Sequence, residues 1–328
     1  MKVRSALFAA VAMIAPAFAA TETTLADEPA LSAKRLTGSL TVGYDSNYVG
    51  RGIVVSHSVA EGDGSEFVAL KLNYDINKKK FWSFDSTIMY KAVSSGHTLY
   101  GPGPYNTINN MKAQGEMMMF GEENGQLGRI GKKNIENEFA VVNGIRYTTN
   151  KTNVVLGHKF VHGGLLGAMA KHFRKQGASN VNEVFIAPSI TPAPWFETGV
   201  TVSYSFQGIQ GWWFEPYATF KAPIFGEPQK ENSMAALLTF GMSATINYFQ
   251  NCHIACANGP QAWWIKLATP YFATKNLIIT PSVSFNWLGT GGQKANSVAE
   301  FKHALNDSSL VPFRNFGVIG GLSVSYLF

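Results

Sequence analysis

Phe316-Gly317-Val318-Ile319-Gly320-Gly321-Leu322-Ser323-Val324-Ser325-Tyr326-Leu327-Phe328 closes the chain, and its alternation decides the fold class. Phe316, Val318, Leu322, Val324, Tyr326 and Phe328 share one parity, Gly320 fills the remaining slot, and Gly317, Ser323 and Ser325 fall opposite. Successive strand side chains point to opposite faces, so one face of this segment is apolar and the other small or polar. The length suits a strand crossing a bilayer obliquely, which takes about 9 to 11 residues plus overhang. A half-buried strand of a soluble sandwich shows the same period, so the rest of the chain has to decide.

The period recurs upstream. Leu40, Val42 and Tyr44 share a parity in a first strand, then Val68, Leu70, Leu72 and Tyr74, then Trp82, Phe84, Ile88 and Tyr90, then Phe139, Val141, Ile145 and Tyr147. Further strands centre on residues 155–161, 184–190, 200–206 and 214–220. Leu238 to Tyr248, Trp263 to Leu267 and Ile279 to Trp287 follow, which with the last strand makes 12. The connections alternate long and short: 50–64, 77–80, 94–135, 149–152, 163–180, 191–194, 208–211, 223–232, 250–260, 273–276 and 289–312. An even strand number with short turns at one end and long loops at the other is the arrangement of an outer-membrane barrel. Two connections break the rule: 208–211 is too short for its side and 223–232 too long.

In hydrocarbon every backbone amide needs a partner, so a membrane sheet has to close on itself. Aromatics then belong at the two interfaces, and Tyr44, Tyr74, Trp82, Tyr90, Tyr147, Trp195, Tyr204, Trp213, Trp263 and Trp287 all sit near expected strand ends. The expected fold is an all-β, antiparallel, up-and-down transmembrane β-barrel.

Composition agrees. Charged residues make up 15% of the chain, low against the roughly 25% of soluble domains, beside 13% aromatics and 32 glycines. No later stretch is apolar for the roughly 18 residues of a spanning helix. Lys2 and Arg4 precede an uncharged run from Ala6 to Phe18, and Ala17-Phe18-Ala19 reads as a signal-peptidase site. The expected domains are a signal peptide at 1–19, a short periplasmic segment at 20–36 and the barrel at 37–328. Without Lys2 and Arg4 the formal +6 falls to +4, and no basic cluster beyond Lys78-Lys79-Lys80 argues for nucleic acid.

Two stretches resemble known barrels. The end at Tyr326-Leu327-Phe328 resembles the C-terminal signal of barrels inserted by the bacterial outer-membrane assembly machinery, which implies that machinery as a partner and Tyr326 and Phe328 as its recognition residues. The segment from Leu40 through Tyr44, Tyr48, Arg51, Gly52 and Ile53 to Ser56 and Ser58 resembles the start of a family of uncharacterised Gram-negative outer-membrane proteins. There an Arg-Gly pair and a serine stand between two amphipathic strands. This resemblance implies location and architecture, and no chemistry.

If the apolar parity faces lipid, Lys71, Lys91, Arg146, Lys159, Lys221 and Lys266 face the lumen, as do Asp85, Glu138, Glu183, Glu197 and Glu215. Lys or Arg on the lipid face near the midplane would cost about 2 to 4 kcal/mol each, so the shared parity supports the barrel. These eleven are the candidate pore-lining residues, read either as paired charges bracing a narrow lumen or as a polar lining for hydrated solutes.

Cys252 and Cys256 are a disulfide candidate in an exported chain, and with His253 they lack the further ligands of a metal site. His57 beside Ser56 and Ser58 is the one pairing that suggests a rim hydrolase. No Gly-x-Ser-x-Gly or His-Glu-x-x-His accompanies it. Helical spacing appears in residues 165–175 and again where Ser297 opens Val298, Phe301 and Leu305, with Glu300 at the capping-box position. Met117 to Phe120 form an apolar quartet in a long loop, suited to a folded loop core, an inward plug or a partner surface. The expected function is passive passage of small hydrophilic solutes across the outer membrane, with no catalytic residues, metal or cofactor. A closed structural or adhesion barrel and a rim hydrolase are the alternatives.

Overall fold

Period-two segments rich in β-branched and aromatic residues pair edge to edge, and here the pairing closes. The computed structural model describes residues 36–47, 49–54, 65–76, 81–93, 137–163, 180–207, 210–246, 258–297 and 315–328. Twelve long strands form one antiparallel ring: β1 Leu36–Asp45, β2 Ser65–Asp75, β3 Trp82–Val93, β4 Glu138–Thr148, β5 Thr152–His162, β6 Asn180–Ala193, β7 Phe196–Gln207, β8 Gly211–Phe225, β9 Ser233–Ile246, β10 Gly259–Ala268, β11 Leu277–Leu288 and β12 Phe316–Leu327. Each strand pairs with its neighbours in sequence, and β1 closes the ring on β12, from Ser39 opposite Leu327 to Asp45 opposite Gly321. The short strand Tyr271–Phe272 carries the line of β10 past Pro270 and bonds to both β9 and β11.

Both irregular connections persist. β7 ends at Gln207 and β8 begins at Gly211 on the long-loop side, while β8 runs through a register shift at Pro223/Phe225 before the turn to Ser233 on the short-turn side. β1 begins at Leu36, one residue ahead of the expected boundary. The signal peptide, the segment before β1, Cys252, Cys256, His57 and the Met117 to Phe120 quartet lie outside the described residues.

The outer surface is apolar: Leu40, Leu70, Ile88, Leu156, Ile186, Phe240 and Leu322 point away from the lumen, Leu156 with 62% of its surface exposed. Aromatics gather at both ends. Trp82 and Tyr147 meet at 4.8 Å on the turn side, and Tyr204 and Trp212 at 4.9 Å on the loop side. Trp82 and Tyr90 on β3, like Phe220 and Trp212 on β8, mark the two belts. At about 3.3 Å per residue on strands tilted by roughly 40°, the belts stand roughly 20 Å apart, close to an outer-membrane apolar band.

One expected belt residue is misplaced. Trp213 points into the barrel with 2% of its surface exposed, and Trp212, at 44%, holds the belt position. The two tryptophans are consecutive, so one of them has to face inward, and the parity of Phe214 and Phe220 makes it Trp213. The helix expected to open at Ser297 lies, from Val298 onward, outside the described residues. Ahead of it stands a helix not expected from the sequence, α1, Thr290–Ser297. Gly291 and Gly292 let α1 lie against the backbone of Pro260 and Gln261, where a Cβ at Gly292 would stand 2.7 Å from the Gln261 carbonyl. Tertiary docking fixes this helix, and local propensity does not.

Cysteine at position 71 or 325, on the inward parity and half-buried, is expected to react with water-soluble thiol reagents. Cysteine at 70, 240 or 324 should prefer lipid-soluble ones. The reverse pattern would mean a one-residue register slip, which turns a strand inside out.

Candidate functional site

All eleven sequence-derived charges take the inward parity, opposite the exposed apolar residues. Lys91, Arg146, Asp85, Glu183, Glu197 and Glu215 are buried, and Lys71, Lys159, Lys221, Lys266 and Glu138 are half-buried. They gather into polar networks at two levels.

Towards the turn side, Arg146 on β4 donates from Nε to Asp85 Oδ2 at 2.6 Å and from Nη2 at 2.5 Å, and Asn73 Nδ2 donates to Asp85 Oδ1 at 2.6 Å. Across the wall, Lys221 Nζ donates to Glu197 Oε2 at 2.6 Å and the Tyr217 hydroxyl to Glu197 Oε1 at 2.9 Å. Each carboxylate thus receives donors on both oxygens, which burial of a charge demands.

The upper level is built around a segment that crosses the lumen. After β1 the chain turns inward as the hairpin Val49–Gly50 and Ile53–Val54, with Arg51 (φ 51°) and Gly52 (φ 79°) at its two-residue tip. Two positive φ values are what a tight I′ hairpin requires; glycine meets this freely, and arginine does so at a cost of about 1 kcal/mol or more. At the root, Ser46 and Gly320 exchange hydrogen bonds and Lys91 Nζ sits 3.7 Å from Asp45 and 3.5 Å from the Val49 carbonyl. Val49 and Val54 pack with Ile319 of β12.

At the tip, Arg51 pairs with Glu183 on β6, lies 3.9 Å from Glu215 on β8, reaches the Ser203 hydroxyl on β7 at 3.4 Å, and stacks its guanidinium over Trp213, 4.5 Å from the ring centroid. The tip backbone is held as well: Ser243 Oγ donates to the Arg51 carbonyl at 2.9 Å and Asn286 Nδ2 to the Gly52 carbonyl at 3.0 Å. Glu183 and Glu215 therefore hold the hairpin tip, with the strand lysine Lys159 opposite Glu183 in the ladder. Glu197 does take the strand partner Lys221. The local sequence marks Arg51 only as half of an Arg-Gly pair and gives no sign of its partner Glu183, 132 residues away.

Glycines fit the lumen wall to its aromatics. Gly43 on β1 lies opposite Phe67 on β2, Gly157 on β5 opposite Phe185 on β6, Gly199 on β7 opposite Tyr217 on β8, and Gly241 on β9 opposite Trp264 on β10. A Cβ at Gly43 or Gly157 would stand 2.6 Å from the facing ring, so each ring tip occupies the space beside its glycine. Trp264 also lies close against Gly52 of the hairpin, where an added Cβ would stand 2.3 Å from its ring. By contrast β1, β11 and β12 present half-buried Ser39, Thr41, Thr280, Ser282, Ser323 and Ser325 to the lumen below the hairpin.

His158 and His162 face outward and bond to Asn182 at 3.0 Å and Asn180 at 2.6 Å. The other five histidines lie outside the described residues. Tyr326 and Phe328 also face outward, and Phe328 pairs through its backbone with Gly38, its ring over that glycine. Among the described residues no group of three or more His, Cys, Asp or Glu is placed to hold a metal ion.

No protein-family model and no curated protein matches the chain. The solved structures it resembles are outer-membrane β-barrel proteins. The KdgM porin is 8% identical over 88% of this chain and 99% of that one, with a TM-score of 0.41. LpxR from Salmonella typhimurium is 9% identical over 88% and 100%, TM-score 0.41. An outer membrane channel from Pseudomonas putida F1 is 8% identical over 94% and 100%, TM-score 0.40.

Proposed function

We propose that the chain is an exported outer-membrane barrel, inserted by the assembly machinery through its aromatic C-terminus, that passes small hydrophilic solutes passively through a lumen narrowed by the 49–54 hairpin. The observation that supports passage is the charge held on the inner wall. Buried ion pairs contribute little net stability over a well-packed apolar core, so a barrel serving only as a scaffold has no energetic reason to hold Asp85, Arg146, Glu197 and Lys221 inside. Half-buried hydroxyls along β1, β11 and β12 add a wetted wall on the turn side.

Purified, folded protein in planar bilayers is expected to show small conductance steps. The second reading is a closed structural barrel, favoured by the packed upper level around Arg51. Absence of steps, both from the protein as it stands and after the hairpin is displaced, would establish that reading instead. For the channel, the combined change Lys71→Glu, Lys159→Glu and Lys266→Glu is expected to shift selectivity toward cations, because fixed charge in a narrow polar pore sets the local counter-ion concentration. An unchanged reversal potential would remove solute flow past these residues.

A further inference from the structure

We propose that the recess formed by Glu183, Ser203, Trp213 and Glu215 is a binding site for guanidinium-bearing solutes, with Arg51 as its tethered occupant. The proposal extends the channel reading and rests on it only for the route by which a solute arrives.

The walls of the recess belong to the barrel and its occupant does not. Glu183, Ser203, Trp213 and Glu215 lie on β6, β7 and β8, where the ladder sets Ser203 opposite both Phe185 and Trp213 and fixes the spacing of the two carboxylates. Arg51 arrives on the tip of a hairpin, in a backbone conformation that arginine rarely adopts. A preformed wall and a separately delivered cation are the two halves of a binding site.

The chemistry of the wall selects the ligand. An indole face at 4.5 Å favours a flat, delocalised, weakly hydrated cation, which describes guanidinium far better than sodium. Carboxylates on either side, with a hydroxyl between them, supply acceptors in the directions a guanidinium fork can use. Glu183 is 1% exposed, and among the described residues its Oε1 accepts no hydrogen bond although Oε2 binds Arg51, so the wall keeps a buried acceptor in reserve. Charge balance sets the ligand at one positive unit. Lys159 faces Glu183 across β5 and β6, which leaves two carboxylates, one lysine and the place filled by Arg51.

A tethered arginine acts at a high effective concentration, so a free solute competes poorly in the intact chain. Arg51→Gly removes the competitor and suits the positive φ at that position. Calorimetric titration of the folded Arg51→Gly protein with methylguanidinium is expected to show saturable binding at millimolar concentration, with sodium at equal ionic strength giving none. In bilayers the same ligand should lower the conductance of the variant toward that of the unaltered chain. Adding Glu183→Gln and Glu215→Gln is expected to weaken the binding by at least about tenfold, since both charged acceptors are lost. If Arg51→Gly, shown to be folded by its heat-modifiable migration, gives no saturable heat, the site is refuted. Binding that survives the two glutamine changes refutes it equally. Should no preparation conduct, the channel reading fails while the titration still decides the site.

Discussion

Gly52→Val is expected to drive the hairpin tip off the barrel wall, open Arg51 to trypsin and raise the conductance severalfold. Position 52 combines a φ of 79° with a place where an added Cβ would stand 2.3 Å from the buried Trp264 ring. A β-branched residue is a genuine outlier at positive φ, and the Trp264 ring is also held close against Gly241 of the wall. The valine therefore meets both a backbone penalty and a steric one, and the Asn286 bond to the Gly52 carbonyl is lost with the tip. Cleavage after Arg51 by trypsin added to folded barrels is a readout independent of ion flow. Resistance equal to that of the unaltered chain, with unaltered conductance, would show that the hairpin tolerates the side chain and that its seat is looser than described.

Arg146→Met is expected to destabilise the barrel by about 3 to 5 kcal/mol, because it leaves the Asp85 carboxylate buried without its principal counter-charge. Asn73 remains as a single neutral donor to that group. Combining Arg146→Met with Asp85→Leu removes both charges and should recover most of the loss. Urea titration of folded protein in lipid vesicles measures both. A double variant no better than the single one would show that the pair is worth more than its apolar replacement.

The strand pattern was legible in the sequence because lipid outside and polar contacts inside impose the same alternation on every strand. Leu70 and Lys71, or Ile145 and Arg146, declare opposite faces without any knowledge of their partners. The ring needed no more than that, with an even count and alternating connections. The core of the site was illegible for a different reason. Arg51 meets Glu183, Ser203 and Glu215 only after strands far apart in the chain have closed into a ring, and no periodicity records such a contact. The Arg51-Gly52 pair was visible as a motif, but a tight-turn dipeptide says nothing about whether its hairpin points to solvent or into a lumen. Trp213 failed for a narrower reason. Both tryptophans of the pair suit an interface, and only the register with β7, Trp212 opposite Tyr204 and Trp213 opposite Ser203, separates them. α1 was illegible because Gly291 and Gly292, which seat it, are poor helix formers.

The glycine and aromatic partners of the wall bear on the order in which the chain folds. Gly43 with Phe67, Gly157 with Phe185, Gly199 with Tyr217 and Gly241 with Trp264 each join two consecutive strands linked on the loop side, so every one of these contacts is complete within a single hairpin. Contacts inside one hairpin need less chain to be ordered before they form than contacts between strands on opposite walls. Arg51 has no partner of that sort: its seat exists only once β6, β7 and β8 stand across from β1. The wall is therefore expected to form hairpin by hairpin and the lumen to be crossed last. A newly closed barrel should then pass through an interval in which its wall is finished and its passage is still unobstructed.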